Sequence, residues 1–229
     1  MLRFESVSHT YSARGIEART VLNIPAWSLM RGTHALLRGV SGSGKTTFFN
    51  IAAGLLRPTS GEVYLEDQPL YRLSEAARDR IRSAKVGYVF QTHHLMPGFT
   101  ALENVLMPMM FAQEIPTALR RARAHDLLGA VGLANYARHR PHQLSAGQRL
   151  RVGVARALAN EPLIVLADEP TAALDAASSA LVMEALQTTC RANNATLLVA
   201  SHDPALVVRF SVICDLHDGH LTESESAPA

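Results

Sequence analysis

The chain carries Gly39-Val40-Ser41-Gly42-Ser43-Gly44-Lys45-Thr46 between a short apolar segment and a helix-like segment. This octapeptide matches the pattern G-x-x-x-x-G-K-[ST], in which glycines let several backbone N–H groups converge on phosphates. Residues 35–38 predict a strand that enters the loop, and residues 46–55 predict a helix whose positive end faces the same phosphates. Lys45 would supply a point charge, and the Thr46 hydroxyl would ligate Mg²⁺. The alternative, a Gly-rich turn that binds nothing, is weakened by the flanking strand and helix.

A second segment, Leu163 to Pro170, reads as a buried strand that ends in two carboxylates. The carboxyl end of such a strand would place Asp168 near the metal, usually through coordinated water, and Glu169 beside the γ-phosphate. A carboxylate there can orient and partly deprotonate an attacking water. The alternative is that both acids merely cap the next helix, because acidic residues favour helix starts.

Composition favours an intracellular globular protein. The 229 residues, 48% hydrophobic and 18% charged, are enough for a sizeable core in one domain, or in one domain with an inserted subdomain. The formal net charge of +2 is too small to favour a nucleic-acid surface, so no nucleic-acid partner is predicted. No apolar run approaches the roughly 18–20 residues that span a bilayer, and no signal-peptide core is evident. Cys190 and Cys214 are interpreted as reduced thiols of a cytoplasmic protein.

Hydrophobic periodicity predicts an α/β fold, a P-loop NTPase core of mostly parallel sheet. Residues 2–37 alternate polar and apolar positions, which favours an N-terminal antiparallel β region. Residues 118–131 show helix spacing, with arginines on the remaining face. Strands and helices alternate towards the end of the chain, so ligands are expected at the carboxyl ends of parallel strands. The other predicted elements are strands at 63–65, 86–90, 163–167, 196–200 and 212–216, and a helix at 178–192.

These features predict a single domain, 1–229, with three parts. Residues 1–91 and 160–221 form the predicted nucleotide-binding core, and residues 92–159 form an inserted α-helical subdomain. The small, polar and acidic tail, residues 222–229, is expected to be disordered.

The most restrictive motif is Leu144-Ser145-Ala146-Gly147-Gln148, followed by Arg149–Val152 and by Ala155–Leu158. It resembles the signature of ATP-binding cassette (ABC) proteins, and the resemblance to that family covers residues 2 to about 221. It implies an ATPase that works as a dimer, in which the signature of one chain covers the ATP held by its partner. Ser145 and the Gly147 amide of one chain would then face the γ-phosphate of an ATP held by a second ATP-binding subunit, in the simplest case an identical copy.

Other positions match the family in its expected order and take their roles from the resemblance. It implies that Tyr11 stacks on adenine, that His202 contacts the γ-phosphate, and that Asp175 lies in the loop linking the two ATP sites. Singly, such residue types are more often structural than functional. The implied catalytic residues are Lys45, Gln91, Glu169 and His202, and the implied Mg²⁺ ligands are Thr46, Gln91 and Asp168. The implied ATP contacts are Tyr11, Gly39, Val40, Ser41, Gly42, Ser43, Gly44, Lys45, Thr46, Thr47, Ser145, Gly147, Gln148 and Asp175.

The segment His93–Val105 is similar to the lipoprotein-releasing and macrolide-exporter branch of the family, as are residues 73–78 and 218–222. In that branch the permease is a separate or fused four-helix subunit. The resemblance implies a transmembrane permease partner contacted through the region Gln91 to Met110, and a peripheral location on the inner face of the cell membrane. The implied groove for a coupling helix is formed by Gln91, Leu95, Met96, Phe99 and Met107–Met110. The alternative for each methionine is ordinary core packing.

Three departures from the family pattern remove no catalytic group. Ala146 stands where the family usually has Gly, Arg149-Leu150 replaces a commoner polar pair, and residues 171–175 differ from the Gly-Asn form of the lipoprotein-releasing branch. The ten histidines are scattered and predict no metal site. Competing hypotheses are a soluble ABC ATPase that acts on nucleic acid or ribosomes and a non-catalytic regulatory scaffold. The near-neutral charge and the intact catalytic set count against them.

Overall fold

The N-terminal alternation of polar and apolar residues forms an antiparallel sheet. The computed structural model describes residues 1–13, 16–92, 94–172 and 174–225. Strand β1 (Leu2–Ala13) pairs antiparallel with β2 (Ile16–Leu29) on one edge and with β4 (Ser60–Leu65) on the other, and β4 pairs with the short β5 (Gln68–Pro69). The sheet order is therefore β2-β1-β4-β5, which confirms the predicted antiparallel region.

The described residues group into two compact units. The first holds residues 1–79 together with those from 198 onward, and the second holds residues 80–197. Helix α2 (Glu75–Lys85) and strand β8 (Thr196–Ala200) carry the boundaries. Among the described residues, no helix combines the length and the apolar character needed to cross a bilayer.

In the first unit, parallel pairing positions the Gly-rich loop. Strand β3 (His34–Arg38) pairs in parallel with β9 (Val212–His217), and β9 pairs antiparallel with β10 (His220–Glu225). The chain leaves β3 directly into the loop and then forms α1 (Lys45–Ala52). The predicted strand–loop–helix arrangement is confirmed.

Helix α1 is anchored by an aromatic cluster beneath the antiparallel sheet. The Phe48 ring stacks on Phe4 with centroids 4.6 Å apart and an interplanar angle of 2°, and meets the edge of Trp27 at 5.3 Å. Phe4 and Phe48 are fully buried, so each contributes about 1.5–3 kcal/mol of hydrophobic stabilisation. This burial fixes the helix whose first residue is Lys45.

The second unit is mainly helical, with α3 (Ala101–Ala112), α4 (Thr117–Ala130), α5 (Ala146–Ala157) and α6 (Ala176–Ala192). Its strands β6 (Val86–Val89) and β7 (Ile164–Asp168) pair in parallel. Short 3₁₀ turns occur at Ala134–Tyr136 and Pro141–Gln143 here, and at Pro204–Arg209 in the first unit. A Cβ atom on Gly87 would lie 2.4 Å from the carbonyl oxygen of Ala157, so the close packing of α5 on β6 needs a glycine. Together the elements confirm the mixed α/β fold with one antiparallel and one mostly parallel sheet.

Two elements differ from the sequence-based expectations. Helix α2 buries none of its residues, so it has no apolar stripe that periodicity could reveal. It is held instead by Arg78, whose Nε donates to the Gly54 carbonyl at 3.0 Å. The expectation of a disordered tail is wrong for residues 222–225, because they form the end of β10 and pair with β9. Strand β10 lies at the edge of its sheet, and residues 226–229 lie outside the described residues.

The two cysteines are free and buried, as predicted for reduced thiols. Burial raises the pKa of Cys190 to about 12 and, together with nearby negative charge, that of Cys214 to about 12. Both thiols are therefore neutral at physiological pH and poor nucleophiles.

Candidate nucleotide site

The loop between β3 and α1 begins at a strand end that a salt bridge fixes. Arg38, the last residue of β3, donates from Nε and Nη2 to the two carboxylate oxygens of Asp215, at 2.8 and 2.6 Å. These residues are register partners across β3 and β9. The hydrogen bonds to Asp215 raise the pKa of Arg38 above its usual value. The two-pronged contact therefore holds the backbone in place one residue before Gly39.

Glycine is required at the turn into α1. Gly44 has φ +106°, and an added Cβ would lie 3.0 Å from both the carbonyl oxygen and Cγ1 of Val21. No side chain caps this helix start, unlike several others in the chain. The first turn therefore presents backbone N–H groups beside a glycine-lined approach, which suits an anion.

The reactive side chains of the loop lie on the first turn of α1. Lys45 is buried, and its Nζ donates to the carbonyls of Gly39 at 2.7 Å and Val40 at 3.3 Å. The amine is thus held over the loop that it would serve. Thr46 is exposed, as a metal-ligating hydroxyl must be, whereas Thr47 is buried.

Two more predicted residues lie near this loop in the first unit. The hydroxyl groups of Tyr11 and Thr47 are 3.3 Å apart, and Tyr11 keeps 49% of its surface exposed, enough to stack on a base. His202 is exposed directly after Ser201, whose N–H donates to the Leu37 carbonyl at 3.1 Å. Hydrogen bonds thus tie both segments to the elements that flank the loop.

In the second unit, β7 ends in the predicted carboxylates. Asp168 is 8% exposed, and burial together with the charge of Asp168 raises the pKa of Tyr88, so that phenol stays neutral. Glu169 follows with φ +46°, a left-handed conformation that is strained for a residue with a side chain. Strain of this kind costs about 1–3 kcal/mol and concentrates at functional sites. The alternative that these acids cap the next helix is wrong, because α6 begins at Ala176 and its N-cap is Asp175.

Asp175 holds the start of α6 through Ser178. Its carboxylate accepts from the Ser178 N–H at 2.9 Å and from the Ser178 hydroxyl at 2.7 Å. These hydrogen bonds lower the pKa of Asp175, so it is ionised at neutral pH. Ala173, also in this loop, lies outside the described residues. The geometry gives Asp175 a structural role, and its implied place between two ATP sites stays a prediction.

The signature motif forms the start of α5. Ser145 is the N-cap: its Oγ accepts from the Gln148 N–H at 3.2 Å, and the Gln148 Oε1 accepts from the Ser145 N–H at 2.9 Å. This reciprocal pair is a capping box. The unusual Arg149-Leu150 pair is explained locally, because Arg149 donates to the Leu144 carbonyl at 2.7 Å and Leu150 is buried.

The predicted groove residues divide into exposed and buried members. Met109 is fully buried, so the core-packing alternative is right for it. Met96, Phe99 and Met110 keep 49%, 45% and 62% of their surfaces exposed, and Gln91 is exposed as well. These four residues do not form one buried cluster. The side chains of Met96, Phe99 and Met110 leave apolar surface exposed in the second unit.

Sequence reasoning missed three residues that shape these segments, a salt-bridged pair and a buried amide. The Arg38–Asp215 pair depends on strand register across 177 positions, which no local pattern reveals. Asn104 is fully buried on α3, where its Oδ1 accepts from the Met96 N–H and its Nδ2 donates to the carbonyls of Met96, Phe99 and Thr100. An amide within an apolar helix is the one signal that could have indicated it.

A cavity of about 780 Å³ in the second unit lies apart from these residues. Its lining includes Leu119, Arg123 and Leu127 of α4, and Thr189 and Asn193 at the end of α6. None of the predicted ATP contacts lines it.

Comparison with known proteins assigns the family. Residues 22–172 match the family model described as ABC transporter. The chain is similar to the structures described as the dimeric structure of a post-hydrolysis state of the ATP-binding cassette MJ0796 bound to ADP and Pi, and the dimeric structure of MJ0796, a bacterial ABC transporter cassette. In both comparisons the identity is 37%, the TM-score is 0.90, and the match covers 100% of each chain. These matches show an ATP-binding ATPase cassette, and the chain belongs to the ABC transporter family.

Proposed function

We propose that this ABC ATPase works as a dimer of two copies, each ATP lying between Lys45 of one copy and Ser145 of the other. The observation that carries the proposal is the exposed start of α5, a helix N-terminus that favours an anion. The structural relative MJ0796 is described as dimeric, and one of its structures as bound to ADP and Pi. Pairing of two copies would give the α5 start an anion to bind.

The residues present fit Mg²⁺ and hydrolysis. The Thr46 hydroxyl, the Asp168 carboxylate and the Gln91 amide offer the oxygen ligands that Mg²⁺ prefers, completed by phosphate oxygens. Glu169 would orient and deprotonate the attacking water, while Lys45 and His202 stabilise charge on the phosphates. In this proposal residues 1–229 act as a single ABC ATPase domain.

A Glu169→Gln variant tests the catalytic assignment. Loss of the base should lower the rate of phosphate release by about 10²–10⁴-fold while ATP binding and ATP-dependent dimerisation persist. Glu161→Gln is a matched control, because Glu161 also has a left-handed backbone, with φ +54°, but pairs with Arg123 at 3.0 Å. Phosphate release and size-exclusion chromatography with ATP would measure both variants. Turnover retained in Glu169→Gln would overturn the role of Glu169.

We further propose that the chain drives a membrane permease of the lipoprotein-releasing or macrolide-exporter type, from the inner face of the membrane. Support comes from the exposed apolar side chains of Met96, Phe99 and Met110, joined by Phe111, which keeps 75% of its surface exposed. All four lie between positions 96 and 111, on or just before helix α3, and exposed apolar surface can mark an interaction site. A coupling helix of the permease could bury them. Co-purification with a membrane permease would support this proposal, and co-purification with ribosomes or DNA would contradict it.

A further inference from the structure

The signature helix makes a hydrogen bond to the segment that follows Gln91. Near the end of α5, Arg156 is half-buried, and its Nη1 donates to the His94 carbonyl at 2.6 Å. Burial lowers the pKa of Arg156, yet a guanidinium stays charged in proteins. The contact is therefore a charge-assisted hydrogen bond.

His94, whose carbonyl accepts this bond, contacts Thr92 and Phe90 in turn. His94 has φ +43°, its N–H donates to the Thr92 carbonyl at 2.7 Å, and its Nε2 lies 2.8 Å from the Thr92 hydroxyl. The His94 ring also meets the Phe90 ring edge-on, with centroids 4.9 Å apart. Because Thr92 follows Gln91 directly in the chain, the contacts between His94 and Thr92 link His94 to the backbone next to Gln91.

We propose that Arg156 is a positioning residue for hydrolysis, which acts through His94 and Thr92 to fix the backbone next to Gln91 relative to the signature helix. This inference rests on the proposed function of Gln91 and Ser145. Ser145 caps the helix on which Arg156 lies, so this hydrogen bond links the start of α5 to the backbone next to Gln91. Closure on the partner's ATP at Ser145 would then also position the Gln91 amide at the ATP that Lys45 of the same chain holds.

The same helix supplies a matched control. Arg151 donates from Nη1 to the Val131 carbonyl at 2.9 Å, which is the same kind of contact but made to a different segment. Arg156→Ala should lower kcat by about 10-fold or more, since small misplacements of reacting groups are costly. Its KM for ATP should stay within about 2-fold of wild type, because the contacts that bind the nucleotide are untouched. Arg151→Ala should keep both values near wild type.

A double-mutant cycle with Gln91→Ala separates positioning from general support. If Arg156 acts on Gln91 through His94 and Thr92, Arg156→Ala should add no further loss of kcat in the Gln91→Ala background. A merely structural role predicts equal losses in both backgrounds, and that result would overturn the proposal. Equal kcat in Arg156→Ala and Arg151→Ala would overturn it too.

Two further measurements keep the test decisive. Melting temperatures show whether Arg156→Ala folds. If it does not, the double-mutant cycle is repeated with Arg156→Lys. The lysine amine differs from a guanidinium in length and geometry, so it can restore the hydrogen bond to His94 only in part. Failure of the proposed function has a different signature, namely turnover that survives Glu169→Gln. If turnover is lost in Glu169→Gln but unchanged in Arg156→Ala, this inference is refuted while the proposed function stands.

Discussion

Two helices begin at predicted phosphate contacts, and their starts are built differently. Helix α1 follows Gly44, a left-handed residue, and no side chain caps it. Helix α5 follows Ser145, which joins Gln148 in a capping box. The first start is shaped by backbone alone, whereas the second is closed by its own side chains.

The difference fits two separate tasks. A start lined by glycine lets backbone amides approach a phosphate closely, and it depends on the ligand to complete its hydrogen bonds. A start that already has a side-chain cap is stable without a ligand, so it can wait until a partner delivers the phosphate. The helix that binds first is therefore the one whose geometry glycine must maintain.

Alanine at Gly44, before α1, and at Gly147, in the first turn of α5, should have opposite effects on folding. These are the largest effects on the free energy of unfolding that we expect. Gly44→Ala meets Val21 at 3.0 Å and forces φ +106° on a residue with a side chain, at a cost of about 1–3 kcal/mol. In Gly147→Ala the new Cβ lies 3.8 Å from the Ser178 Cβ, an ordinary contact, and the helix gains up to about 1 kcal/mol. Urea unfolding of the two variants measures both free energies.

The same pair separates folding from assembly. Although it folds at least as well as wild type, Gly147→Ala should weaken ATP-dependent dimerisation, because its methyl group lies beside the amide proposed to face the partner's phosphate. Chromatography with ATP in the Glu169→Gln background measures this. A Gly147→Ala chain that dimerises normally would show that the start of α5 is not a crowded phosphate contact.

Substitutions of Ser145 should separate capping from phosphate contact, with a smaller effect on folding. Ser145→Ala removes the acceptor for the Gln148 N–H, which costs about 1 kcal/mol of unfolding free energy. Ser145→Asp keeps a good cap but places a negative charge where the phosphate is proposed to bind. We expect the Asp variant to unfold like wild type and yet fail to dimerise with ATP. If only the Ala variant lost dimerisation, capping rather than phosphate contact would be the role of Ser145.

Local chemistry made much of this architecture predictable from sequence. The strand–loop–helix around Lys45 follows from glycine placement, and α6 was predicted to within two residues at its start. Helix α1 ends at Ala52, earlier than predicted, because Gly54 takes φ +73° and closes the turn. Where residue type alone dictates backbone geometry, sequence reasoning succeeded.

Long-range contacts account for what the sequence did not reveal. Helix α2 is held by Arg78, which also packs 5.5 Å from the Tyr71 ring, rather than by an apolar stripe. The Arg38–Asp215 and Arg156–His94 bonds join segments 177 and 62 positions apart. Each needs the register of the folded chain, so periodicity and motif spacing carry no trace of it.

The start of α6 extends the comparison, because its cap is a group that titrates. The effect on stability is the smallest that we expect. Helix α6 is capped by a carboxylate, and hydrogen bonds from the Ser178 N–H and hydroxyl lower the pKa of Asp175. The folded chain therefore binds this proton less readily than the unfolded chain does. The cap contributes its stability above the ordinary aspartate pKa and loses it as the pH falls through the lower, folded value. The hydroxyl cap of α5 and the uncapped α1 have no such dependence.

Asp175→Asn should remove this pH dependence while keeping a cap, since asparagine caps helices about as well and does not titrate. Other carboxylates protonate over the same range, so the informative quantity is the difference between wild type and variant. That difference in unfolding free energy should change as the pH falls from above the ordinary aspartate pKa through the lower, folded pKa, with wild type losing more stability on acidification. A constant difference would mean that Asp175 is not held ionised by Ser178.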